Sequence, residues 1–223
     1  QSGNYDGDFK FGRFDGLGML TLFSVGVYDG FFVDGVRHGT GRLVYDTGDV
    51  YYGDWCKDRP DGSGELVHFN GLDSFRGTFR CGERCDGVLT YLFDSNSSAC
   101  YVYDGPFLHN REAGHGRCEF YDGASRRHTY EGHFVDGQKN GEGCWTNSAC
   151  RVLGTFVNGI CVNGIRRGED TVYNGDFLIG KCNGLGSCYF VDTNILYVGE
   201  WKNGSMEGFG IADSHLLEIA GEW

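Results

Sequence analysis

Proline is nearly absent from this chain: there are two in 223 residues. With no Gly-X-Y triplet period beside it, that scarcity excludes a collagen-like helix. No apolar run approaches the roughly 18 residues of a membrane-spanning helix. No charged-apolar-small leader pattern opens the chain, which reads as soluble. The start at Gln1, with Tyr5 already in repeat phase, reads as that of a fragment. Basic charge is also short, with 19 Lys and Arg against 31 Asp and Glu, a net charge of −12. The acidity is spread evenly along the chain. Such a surface repels phosphate backbones and anionic headgroups, so no nucleic-acid partner is expected. Anionic membrane lipid is disfavoured for the same reason, since the chain lacks the cluster of four to eight Lys/Arg that such recognition uses. The only adjacent basic pairs, in Arg126-Arg127-His128 and Arg166-Arg167, read as solvated loop charges.

What is plentiful is glycine, 39 residues, together with 17 Phe, 13 Tyr and 4 Trp. Disordered chains are poor in aromatics, so this one is ordered and its glycines have positions to fill. There are ten cysteines, at 56, 81, 85, 100, 118, 144, 150, 161, 182 and 188. A chain long enough to build its own core does not need a disulfide framework, and without a secretion signal reduced cytosolic thiols are expected.

Self-similarity organises the whole sequence. Tyr5-Asp-Gly7-Asp-Phe9 recurs as Tyr28-Asp-Gly30-Phe-Phe32, Tyr51-Tyr-Gly53-Asp-Trp55, Phe75-Arg-Gly77-Thr-Phe79 and Tyr103-Asp-Gly105-Pro-Phe107. It continues as Tyr130-Glu-Gly132-His-Phe134, Val152-Leu-Gly154-Thr-Phe156, Tyr173-Asn-Gly175-Asp-Phe177 and Tyr197-Val-Gly199-Glu-Trp201. A partial tenth copy starts at Ile219. Starts are 21 to 24 residues apart, with longer intervals of 28 and 27 after Phe75 and Tyr103. We read residues 1–223 as a single array of about nine repeats. Each repeat carries a second half, mostly with Gly-x-Gly, as at Gly16/Gly18, Gly39/Gly41 and Gly184/Gly186. Turn signals such as Asp34-Gly35, Asp136-Gly137, Asn158-Gly159 and Asn203-Gly204 separate the halves, so each unit predicts strand, turn, strand. Two units lack the Gly-x-Gly, carrying Cys85-Asp86-Gly87-Val88 and Val162-Asn163-Gly164-Ile165 instead. These read as decay of a redundant repeat, or else as a bend or a partner-binding face.

The pattern Y-x-G-x-[F/W] followed by G-x-G resembles the MORN repeat over essentially the whole chain. That resemblance implies an all-β fold: an elongated single-layer antiparallel sheet of consecutive β-hairpins, a rod. Elementary strand geometry explains the residues chosen. In a strand, Tyr5, Gly7 and Phe9 share one face and Asp6 and Asp8 the other. A ring lying over the bare glycine offsets the intrinsic cost of glycine in a strand. The position two after Gly-x-Gly is mostly apolar (Leu20, Leu43, Leu66, Cys118, Trp145, Cys188, Ala212), so Cys118 and Cys188 read as small buried hydrophobes.

Chemistry is hard to build on such a sequence. Gly-x-Gly segments bind dinucleotides only where a helix follows, and none shows helical periodicity. No cofactor is expected. Cys81-x3-Cys85, His109-x5-His115-x2-Cys118, Cys144-x5-Cys150 and Cys182-x5-Cys188 form no paired zinc pattern, leaving a structural zinc shared between strands or chains as the open alternative. Histidines such as His38, His68, His128 and His215 read as solvated. The expectation is a non-enzymatic scaffold that self-associates and organises protein partners. Its resemblance to MORN-only proteins of protist parasites implies a cytoplasmic, cytoskeleton-associated place. The alternatives are a phosphoinositide or membrane-binding module, or the targeting region of a larger enzyme. Apolar residues concentrated toward the C-terminal units, Tyr173, Phe177, Tyr197, Trp201, Phe209, Leu216, Leu217 and Trp223, are the candidate homodimer interface.

Overall fold

The alternation of large and absent side chains dictates strands, and a computed structural model shows only strands and their connections over residues 3–93, 99–122 and 127–214. The partial tenth repeat, with Leu216, Leu217 and Trp223, lies outside the described residues, as do His215, Arg126 and parts of the joins 94–100 and 123–129. The chain forms two compact units.

The first unit, residues 1–113 with 120–124, contains β1 (Gly3–Lys10), β2 (Arg13–Leu22), β3 (Gly26–Val33), β4 (Val36–Tyr45) and β5 (Val50–Cys56). It continues with β6 (Arg59–Val67), β7 (Asp73–Arg80), β8 (Glu83–Leu92), β9 (Ala99–Leu108) and the short β10 (Arg111–Glu112). The second unit, residues 114–119 with 125–223, takes the first part of β11 (Gly114–Asp122) and then β12 (Arg127–Val135), β13 (Gln138–Thr146), β14 (Arg151–Val157) and β15 (Ile160–Arg167). β16 (Thr171–Leu178), β17 (Lys181–Phe190), β18 (Ile195–Lys202) and β19 (Ser205–Asp213) complete it. From β1 to β9, and again from β12 to β19, each strand pairs antiparallel with the next. Each unit is thus an open sheet of consecutive hairpins, as the repeat pattern requires.

Register is set by glycine. In the first unit Gly7, Gly18, Gly30, Gly41, Gly53, Gly64, Gly77, Gly87 and Gly105 face one another strand by strand. In the second, Gly132, Gly143, Gly154, Gly164, Gly175, Gly186, Gly199 and Gly210 do the same. The hairpins without Gly-x-Gly therefore keep the register through Gly87 and Gly164. What they have lost is one residue. Between the pairs Gly30↔Gly41 and Phe32↔Arg37 the second strand carries three residues against one on the first. Between Gly77↔Gly87 and Phe79↔Arg84 it carries two against one, and the Cys161 hairpin is the same. The longer bulge places its first glycine at positive φ, as at Gly16 (104°), Gly62 (113°) and Gly141 (93°), which explains the Gly-x-Gly. The shorter bulge has no such residue, so Cys85 and Val162 stand where other repeats need glycine.

Hairpin turns follow the expected positive-φ pairs at Asp34-Gly35, Asp136-Gly137, Asn158-Gly159 and Asn203-Gly204. They also occur at Phe11-Gly12, Cys81-Gly82 and Ile179-Gly180, where the first residue is a poor left-handed former. Ile179, β-branched at φ 50°, is the costliest of these.

Candidate interaction surfaces

The glycine face of each unit is its core. Tyr28, Phe32, Tyr51, Trp55, Phe75, Phe79, Tyr103 and Phe107 are buried in the first unit. Tyr130, Phe134, Phe156, Tyr173, Phe177, Tyr197 and Trp201 are buried in the second, with Cys118, Cys182 and Cys188 as small fillers. Edge-to-face contacts run along the ladder: Tyr28 lies 5.1 Å from both Phe32 and Trp55, and Tyr51 lies 5.2 Å from Trp55 and 5.1 Å from Phe79. The indoles of Trp55 and Trp201 donate to the carbonyls of Gly41 and Gly186 at 3.1 Å.

Each tyrosine that begins a repeat donates its hydroxyl to the carbonyl three residues on, inside the bulge. The pairs include Tyr28 to Phe31 (3.1 Å), Tyr51 to Asp54 (3.0 Å), Tyr130 to His133 (3.1 Å) and Tyr173 to Asp176 (2.9 Å). In the two short-bulge hairpins the corresponding residues, Thr78 and Thr155, are instead paired in register with Asp86 and Asn163. Those same repeats begin with Phe75 and Val152, which have no hydroxyl to donate. Bulge length and side-chain chemistry thus vary together.

Cations lie over this ladder. Arg37 sits 4.5 Å from the Trp55 ring and 5.6 Å from that of Tyr28, Arg84 5.1 Å from Phe75, Lys139 5.1 Å from Tyr130 and Arg166 5.7 Å from Phe177. Burial pulls the Arg84 and Lys139 pKa values below their ordinary range. Arg166 is therefore not the solvated loop charge its sequence neighbourhood suggests: it is half-buried in β15 because it alternates onto the ring face. Arg127 does carry an external partner, bonding Glu119 on the surface.

The opposite face is mixed. Its central row in the second unit reads Glu131, Cys144, Leu153, Ile165, Asn174, Ser187, Val198 and Ile211. Toward β19 it turns apolar: Leu185 is 70% exposed, Val198 51%, Phe209 89% and Ile211 73%. Of the residues expected at a homodimer interface, Tyr173, Phe177, Tyr197 and Trp201 come together, but as the buried core of this unit rather than as free surface. Phe209 alone of the described members is exposed. Sequence reading missed Leu185, Val198 and Ile211, whose signal was apolarity at the variable positions flanking the glycines.

None of the described cysteines is in a disulfide, and among the described residues no group of three or more His, Cys, Asp or Glu could hold a metal ion. No helix among the described residues is long and apolar enough to cross a membrane.

The MORN repeat family model matches residues 5–23, 28–50, 51–72, 103–125, 130–148, 173–195 and 197–213. The stretches it passes over include both short-bulge hairpins, β7–β8 and β14–β15. No curated protein matches the chain. With more than half of its length matched, and with the column glycines in the same register throughout each unit, the chain belongs to the MORN-repeat proteins, whose all-β arrays fit a structural or membrane-targeting module and a generally non-catalytic role.

Proposed function

We propose that this chain is a non-catalytic scaffold that forms homodimers through the outer face of its C-terminal hairpins and organises protein partners in a cytoplasmic, cytoskeleton-associated assembly. The observation that carries the reading is the exposed apolar group of Leu185, Val198, Phe209 and Ile211 on β17 to β19, in which Val198 pairs with Ile211 while Glu200 stands opposite Leu185. Contiguous exposed apolar side chains mark protein or membrane contact sites. The net charge of −12 favours protein over an anionic bilayer. The ring face holds the core of each unit, so contacts with protein partners fall to the outer face.

The test is light scattering after size exclusion, on the wild-type chain and on a Phe209→Ser, Ile211→Lys double variant. A dimer that becomes a monomer without loss of sheet signal supports the reading. A wild-type monomer at high micromolar concentration, or an unchanged dimer in the variant, refutes the proposed surface. Salt-sensitive sedimentation with anionic liposomes would replace it with the membrane reading.

A further inference from the structure

First-position rings are held edge-to-face between two others. Tyr5, Tyr28, Tyr51 and Phe75 are so placed in the first unit. In the second, Tyr130 stands between Phe134 and Phe156, and Tyr173 between Phe177 and Trp201. The repeat between those two begins with Val152. Phe156 and Phe177 therefore flank a place where the ladder provides no ring. A Cβ on Gly143 or Gly186 would meet a tyrosine ring, whereas on Gly154 or Gly164 its three nearest neighbours are backbone atoms.

The space left is a pocket of about 410 Å3, lined by Trp145, Phe156 and Phe177 and by the side chains of Lys139 and Arg166. That size is within the range of small-molecule sites. Arg166 donates to the Cys182 sulfur at 3.0 Å and lies over Phe177; Lys139 lies over Tyr130. Neither is in an ion pair with a carboxylate among the described residues. In a chain with 31 acidic residues, two half-buried cations at one apolar cavity without a carboxylate are a charge complement waiting for an anion. Ile179 also lines the pocket, 79% exposed and held at φ 50° in a turn position where other repeats place Asp34, Asp136, Asn158 and Asn203 as well as Phe11 and Cys81.

We propose that the Val152 pocket binds a small aromatic carboxylate. The ring enters between Phe156 and Phe177, in the place a repeat tyrosine would fill, and the carboxylate accepts hydrogen bonds from Arg166 and Lys139. An inorganic anion leaves the aromatic walls unused; a neutral aromatic leaves the cations unmet. The assignment is independent of self-association, which uses the opposite face.

The test uses 3-phenylpropanoate, followed by calorimetric titration and by saturation-transfer NMR. Saturable one-to-one binding is expected, with 3-phenylpropan-1-ol and propanoate each at least tenfold weaker. Arg166→Gln is expected to weaken binding about tenfold, the worth of a charge-assisted hydrogen bond in a partly desolvated site. Val152→Tyr restores the ladder ring and is expected to abolish binding while the sheet remains folded by circular dichroism. Absence of saturable binding in the wild-type chain overturns the proposal. So does equal binding of the alcohol, or affinity unchanged in both variants. An acetylated, amidated Glu-Phe-Glu peptide that binds more tightly than 3-phenylpropanoate also overturns it, by making the occupant a protein segment.

Discussion

The phenol of Tyr28 lies on Gly41 so closely that a Cβ added to that glycine would come within 2.2 Å of the hydroxyl and 2.5 Å of the ring. Tyr28 is fully buried, clamped by Phe32 and Trp55, and its hydroxyl is bonded, so it has nowhere to go. Gly41→Ala is expected to cost about 1–3 kcal/mol, the usual penalty for overpacking. Gly168→Ala is the control: its Cβ would be 3.6 Å from the nearest atom, and an effect within about 0.5 kcal/mol is expected. Denaturant midpoints measure both. Equal effects would mean that the ring-on-glycine contact does not set stability.

The buried phenols make the fold sensitive to alkali. Burial is the main cause that pushes Tyr28, Tyr130 and Tyr173 up to about 12 from 10.0. Tyr51 rises for the same reason. Because the folded state holds these groups neutral, stability is intact below pH 10 and is lost as pH climbs from 10 through 12, where the unfolded chain ionises first. Tyrosinate absorbance and loss of sheet signal are expected to rise together in that window. Full ionisation near pH 10 with the sheet intact would contradict the burial.

Much of this fold was legible because its physics is periodic: a ring, a missing side chain and a second ring at i, i+2 and i+4 can only share a strand face. The same alternation, followed further, would have buried Tyr173, Phe177, Tyr197 and Trp201, which apolarity alone had suggested as interface. A hydrophobicity count records that a residue is sticky, not which neighbour already covers it. The one-residue shortening at Cys85 and Val162 looked like loss of a motif, yet the column glycines Gly87 and Gly164 were present all along. Only pairing across strands shows that bulge length changed while register held. The gap at Val152 needed the same cross-strand information, since the rings that expose it come from different repeats.

Thiol reactivity should follow burial. Cys81 is exposed in its turn, whereas Cys118, Cys182 and Cys188 are buried, and burial raises the thiol pKa of Cys182 and Cys188. A disulfide-exchange reagent is expected to label Cys81 first and the three buried thiols only on unfolding, followed by peptide mass spectrometry. Metal analysis of the same sample is expected to return no stoichiometric zinc. Protection of Cys81 instead would point to a bridge or a metal there.

Arg37 tests whether the cations over the ladder contribute by geometry or by charge alone. Its Nε bonds the Asp58 carboxylate at 3.0 Å, a second guanidinium nitrogen bonds the Asp58 carbonyl at 2.9 Å, and the plane lies over Trp55. With the side chain only 14% exposed, this is a fork joining one repeat to the turn of the next rather than a surface ion pair. A lysine keeps the charge but cannot make both bonds and cover the indole together. Arg37→Lys is therefore expected to recover little of the roughly 1.5–3 kcal/mol typical of hydrogen bonds to charged groups that Arg37→Ala removes. Thermal or denaturant unfolding at low and high salt separates the cases. If the lysine variant matches the wild type, or if high salt erases the difference, the contribution is charge and not the fork.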